Sequence, residues 1–224
     1  MTAQMTGFPS AEMESGFPPR LRPNLRTLVL SRFERSIRAP ETFFSDNADA
    51  VSAATFAMAR RFRSGGRLLV FGEGASATDA QHVSVEFVHP VIVGKRALPA
   101  IALTNDVASL TASVPGRRDG HGFRRMLGTL GRSTDIALGL CDSRGSSPVT
   151  DGLSCARHMG MLTIAVGAQL DDESLLAHCD HVFSVRDDDA FVSQEVGETL
   201  YHILWELVHV FLDHMPDDSS GMDG

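Results

Sequence analysis

Five short apolar runs, at 68–71, 100–103, 136–140, 162–166 and 181–185, alternate along the chain with stretches of helical pattern, and this alternation constrains the fold more than any other feature. Runs that are apolar throughout, rather than at every second residue, predict strands covered on both faces. Strands separated by helices must run parallel, because each return to the same sheet edge needs a crossover. The expected class is therefore α/β: a three-layer αβα sandwich with a doubly wound, mostly parallel five-stranded sheet and an N-terminal helical extension, with helices near 25–38 and 41–63. Ligands in such folds lie beyond the carboxyl ends of the strands.

The 224 residues suffice for one full core. Residues 1–25 carry scattered Pro, Gly and Met without period, and 215–224 (MPDDSSGMDG) are polar and acidic. Both read as flexible tails around a single domain at 26–214, with helices at 26–64 and an α/β core at 65–214. The last helix, expected at 192–214, has Val196, Leu200, Ile203, Leu204, Leu207, Val208 and Phe211 at helical spacing. Together with the N-terminal helices, that is more apolar surface than one small sheet covers, so a homo-oligomer is expected.

Charge and composition narrow the partners. A formal net charge of −8 and a pI near 5.5 leave no basic field for nucleic acid or an anionic membrane. No apolar run approaches the roughly 20 residues of a membrane span, and the N-terminus lacks signal-peptide regions, which points to the cytoplasm. Cys141, Cys155 and Cys179 are odd in number and form no CxxC pair, arguing against a disulfide framework or a thiolate zinc site.

Four places carry candidate chemistry. At 70–79 a strand runs into the Gly-rich turn GEGAS and opens a helix, where backbone N–H groups attract anions; a turn of this kind also serves chain geometry alone. A nucleotide cofactor is not expected, since GxGxxG becomes Gly72, Gly74 and Ala77 with no acidic ribose partner closing a second strand. At 139–148 a second strand end meets a hydroxyl-rich turn, where Ser143, Ser146 and Ser147 are possible donors to phosphate oxygens and Arg144 a possible counter-charge. His82 and Glu86 share a helix face by i,i+4 spacing, and Gln194, Glu198 and His202 repeat that spacing on the last helix. Singly, each pair also fits an ordinary helix contact. If the fold joins the two helices, His, Glu, Gln and His make a nitrogen/oxygen site for a divalent metal such as zinc, and the same Glu and His are able to move protons.

These residues resemble the phosphoheptose isomerases, whose first loop reads GNGGS ahead of a helix with AQH and, three intervening residues on, a catalytic Glu. Here the run is GEGASATDAQHVSVEFV. The family's LPAIALTTD is similar to LPAIALTND at 98–106, and its QE pair with a His eight residues after the Gln is matched by Gln194, Glu195 and His202. The resemblance covers about 26–214. It implies the sugar-isomerase (SIS) fold, a homotetramer and interconversion of sedoheptulose 7-phosphate with an aldoheptose 7-phosphate through an enediol. By carry-over it implies Glu86 and His202 as the acid/base pair, a zinc site at His82, Glu86, Gln194 and His202, phosphate contacts from Ser76 and the second-loop hydroxyls, and Asp106 beside the sugar. In such tetramers sites often lie at subunit contacts, so His202 and Glu86 need not belong to one chain.

The departures fall in the loops. Glu73 stands where the family has Asn, and Ala75 where it has Gly; the second loop, usually STSGNSP, becomes CDSRGSSP and one residue longer. Glu73 and Asp142 thus flank the expected anion seat, and like charges at about 4 Å repel by about 4 kcal/mol at an effective dielectric near 20. The family's NDYGFEEVF segment becomes GRRDGHGFRR, placing Arg117 and Arg118 as candidate contacts to an anionic substrate group. The leading reading is an aldose/ketose isomerase of a sugar phosphate. The alternatives are a non-catalytic SIS module that binds a sugar phosphate or a protein partner, and an isomerase of a specialised-pathway sugar.

Overall fold

The structure, a computed structural model, describes residues 22–112, 122–141 and 146–215. Ser143, Arg144, Asp142, Arg117, Arg118 and most of both tails lie outside the described residues. The chain divides into two units, Met1–Arg38 and Ala39–Gly224.

Helix α1 covers Arg22–Arg63 without interruption. The sequence predicts a break near Pro40, since a proline withholds one N–H and crowds the carbonyl four residues back. The helix instead continues through Pro40. In the first unit α1 exposes Leu28, Val29 and Phe33.

In the second unit, β1 (Leu68–Gly72) leads to α2 (Ala75–Val88), β2 (Ala100–Ala102), a short 3-10 turn (Leu103–Asn105) and α3 (Val107–Thr111). Then follow α4 (Gly122–Leu130), β3 (Ile136–Cys141), α5 (Ser147–His158), β4 (Leu162–Ala168), α6 (Glu173–Leu176), β5 (His181–Val185) and α7 (Ala190–His214). The five strands pair in the order β2-β1-β3-β4-β5, all parallel. Each expected strand is present within two residues at either end.

The period-2 geometry of a strand explains why these runs are apolar throughout. Leu68, Val70, Ile136, Leu138, Ile164, Val166 and Phe183 face one core, built with α2, α7 and the Ala39-to-Arg63 part of α1. Leu69, Phe71, Ala137, Ala165 and their neighbours face a second core with Phe123 and Leu127 of α4 and Val149 and Leu153 of α5. Two apolar faces are what a sheet sandwiched between helix layers requires. The order also fixes where the chain reverses direction across the sheet: from β1 it leaves toward β2, and it returns to β3 on β1's other side. The crevice outside the carboxyl ends of β1 and β3 is the binding position this topology creates.

Candidate active site

Both loops that the sequence singles out open at that crevice. Gly72 ends β1, and a Cβ there would lie 2.8 Å from the Leu140 carbonyl oxygen and equally close to Ser76, so only glycine lets the turn fold back onto β3. Gly74 precedes α2 with φ 58° and ψ −129°, a conformation side chains disfavour. Ser76 follows in the first turn of α2 and is buried. On the opposite loop, the Ser146 hydroxyl donates to the Glu73 carboxylate, so the residue that departs from the family pattern bridges the two loops. Ser147 is the first residue of α5 and is exposed.

A cleft at the carboxyl ends of β3 and β4 is lined by Ser76, Asp79, Gln194, Phe191, Gly197 and Tyr201, among others. Gln194 Nε2 donates to Asp79 Oδ1 over 2.9 Å, joining α2 to α7. A carboxylate only accepts, so this bond turns the amide nitrogen of Gln194 toward Asp79 and its oxygen away. Burial raises the Asp79 carboxyl above its ordinary range, partly offset by the Gln194 bond and by nearby His82.

Farther along both helices, one turn past Asp79 and two turns past Gln194, His82 and Glu86 of α2 meet His202 of α7. His82 Nε2 lies 3.3 Å from Glu86 Oε1. His202, from α7, completes a group whose three ligand atoms all lie within 4.8 Å of one another. One chain therefore brings together His82, Glu86 and His202. The donor set, two imidazoles and a carboxylate, suits a borderline divalent ion such as zinc. Glu198 follows Gln194 by one turn on α7 and is not among the residues lining the cleft.

Asp106 takes a different place from the other candidates. It caps α3, accepting from the Ser109 backbone N–H at 3.0 Å and from the Ser109 hydroxyl, and these bonds hold its carboxyl below the ordinary range. It is not among the cleft-lining residues.

The SIS-domain family model matches residues 33–168. A phosphoheptose isomerase of Thermodesulfovibrio yellowstonii is 36% identical over 188 residues, spanning 84% of this chain and 93% of its own. The chain belongs to the phosphoheptose isomerase family. Membership carries the enzyme class expected from the sequence, a sugar-phosphate isomerase. Solved phosphoheptose isomerases from Francisella tularensis (28% identity, TM-score 0.75, 82% of this chain and 97% of that one) and Neisseria gonorrhoeae (27%, 0.73, 82% and 98%) share the fold.

Two residues of this phosphoheptose isomerase-family site escape a sequence reading. Asp79 stands three residues before His82, so helical spacing places it on the same face, but it lies inside the glycine-rich run, where attention goes to backbone donors. Tyr201 is the chain's one tyrosine. It hides within the apolar pattern of α7, and only the packing of α7 against α2 reveals it as a neighbour of both histidines.

Proposed function

We propose that this chain interconverts a seven-carbon ketose phosphate and its aldose, sedoheptulose 7-phosphate and an aldoheptose 7-phosphate, with Glu86 and His202 as the acid/base pair. The observation that carries the reading is the convergence of His82, Glu86 and His202 within 4.8 Å, beside a cleft at the strand ends, in a chain of this family. The Glu86 carboxylate takes the proton from C1 of the ketose while O2 gains a proton, leaving a neutral enediol. Return of a proton to C2 and loss of the O1 proton give the aldehyde, so no proton is gained or lost overall. Glu86 serves the carbon and His202 the oxygens, each a role for a group within hydrogen-bond reach.

His82, Glu86 and His202, with the Gln194 amide oxygen, are the groups that would hold a divalent ion, zinc in the first instance. Such an ion supplies Lewis acidity toward a substrate oxygen. Ser76, Ser146 and Ser147, with Ser143, are the proposed phosphate donors, and Asp106 the proposed sugar contact. The exposed apolar residues of α1, Leu28, Val29 and Phe33, support the homotetramer, which light scattering tests. No described helix is long and apolar enough to cross a membrane, which fits a cytoplasmic enzyme.

The deciding experiment is an NMR time course with sedoheptulose 7-phosphate, with and without zinc, beside Glu86→Gln. An aldoheptose signal that the variant abolishes supports the proposal. No turnover by a metal-loaded tetramer overturns it and favours the second reading, a binding module or an isomerase of another sugar, for which the Glu73 bridge to Ser146 is the specific observation.

A further inference from the structure

One buried side chain touches both histidines of the cluster. Tyr201 directly precedes His202 on α7 and is only 4% exposed. Its ring meets the His82 ring edge-on, with centroids 5.5 Å apart and planes at 72°, and meets the His202 ring at 5.2 Å and 80°. The two imidazoles stand 5.3 Å from each other. Three rings thus form a closed triangle whose members come from two helices.

An imidazole at a helix surface has several rotamers open to it, and each must be given up when a ligand fixes the ring. A bulky ring packed edge-on against two imidazoles that also touch each other removes those alternatives beforehand. The tyrosine hydroxyl is buried and has no hydrogen-bond partner among the described residues. What this side chain contributes is therefore its ring.

From this geometry we propose that Tyr201 is a positioning residue: its ring presets the His82 and His202 imidazoles for a divalent cation. The proposal rests on the reading of His82, Glu86 and His202 as the metal site. Because Tyr201 also lines the cleft, the same ring joins the wall of the sugar site to the metal ligands.

The test uses the full chain and three forms: unaltered, Tyr201→Phe and Tyr201→Leu. Cobalt(II) is titrated by its visible absorption and zinc by competition with a chromophoric chelator, while circular dichroism follows the fold. Tyr201→Phe should bind both ions within about twofold of the unaltered chain, with the same cobalt bands, because the ring is kept. Tyr201→Leu should stay folded, lose about tenfold or more in affinity and shift the cobalt bands, the scale seen when outer partners of metal ligands are removed. Should the leucine variant fail to fold, Tyr201→Met fills the space with a flexible side chain and is read the same way. A ring-less variant that binds as tightly as the unaltered chain, with unchanged bands, overturns the proposal. So does a phenylalanine variant as impaired as the leucine one, since the effect would then lie in the hydroxyl. If the unaltered chain binds neither ion, the metal reading itself falls and this proposal with it, an outcome distinct from failure at Tyr201 alone.

Discussion

The two ends of the sheet hold their polar groups in opposite ways. At the amino end, Asp135 is fully buried yet completely engaged. It accepts from the Arg67 backbone N–H at 2.8 Å, from the Arg67 guanidinium at 2.6 and 3.3 Å, and from the Arg132 N–H at 3.0 Å. Beside β5 the exposed Asp180 is likewise engaged, accepting from the Thr163 N–H and hydroxyl and from Arg157. At the carboxyl end, by contrast, Asp79, raised by burial and bonded to Gln194, lines an open cleft, and Glu73 bridges two loops. Buried polar groups cost free energy unless paired. The amino end meets that requirement away from the cleft and contributes stability, whereas at the carboxyl end the polar side chains Ser76, Asp79 and Gln194 line an open cleft.

Substitutions at each end sharpen the contrast. The largest effect is expected at Glu86: Glu86→Gln keeps shape, so its stability should change by less than about 0.5 kcal/mol, while isomerisation falls by about 10²–10⁴-fold in the NMR assay. Asp135→Ala should do the reverse. Removing the acceptor leaves the Arg67 and Arg132 backbone N–H groups without their partner and the Arg67 guanidinium with only the Leu130 carbonyl, and denaturant unfolding should record a loss of about 3 kcal/mol, or roughly 10 °C in Tm. A stable Asp135→Ala, or an unstable Glu86→Gln, would break the division between the two ends.

A smaller effect is expected at the loops. Glu73→Asn removes the carboxylate that bridges to Ser146, so inorganic phosphate or sedoheptulose 7-phosphate should bind about tenfold tighter by calorimetry, about 1.4 kcal/mol. Unchanged or weaker binding would mean that Glu73 contributes to recognition rather than opposing it.

The smallest effect is at Asp79. Because burial raises its folded pKa, the folded chain holds this proton more tightly than the unfolded one. The associated stability is therefore present below the ordinary value of 3.8 and is lost as pH rises through the raised folded value. Asp79→Asn keeps an acceptor for Gln194 and removes the ionisation. It should be slightly more stable than the unaltered chain near neutral pH, with the advantage vanishing as pH falls to 3.8; thermal unfolding across pH measures this, and a constant difference would sink the idea.

Histidines illustrate how much of this was legible beforehand. His202 and His209 share α7 and similar apolar neighbours, and only the i,i+4 series Gln194, Glu198, His202 sets the first apart in the sequence. In the structure His209 is 2% exposed and has its two ring nitrogens within hydrogen-bond distance of backbone carbonyls, Trp205 at 2.8 Å and Arg96 at 3.0 Å, a histidine held by the core. His202 faces His82 and Glu86. Motif resemblance singled out His202, but no local pattern could have found the Arg96 partner of His209, which lies 113 residues away. Cys179 shows the complementary case: burial pushes its thiol up to about 12, which keeps it protonated and a poor nucleophile, a condition set by packing and invisible in its spacing.

By itself the sequence determined the α/β class, the five strands and their order of appearance, because an apolar run buried on both faces and a helix stripe are local periodic signals. It also determined which residues share a helix face, His82 with Glu86 and Gln194 with His202, since that follows from 3.6 residues per turn. Only the tertiary structure decided that His82 and Glu86 meet His202, that Glu73 reaches Ser146, that Asp79 holds the Gln194 amide and that the Tyr201 ring packs against both imidazoles. Those contacts join residues up to 120 positions apart, as between His82 and His202, and distances across such separations depend on how helices pack on the sheet, which no run of neighbouring residues encodes.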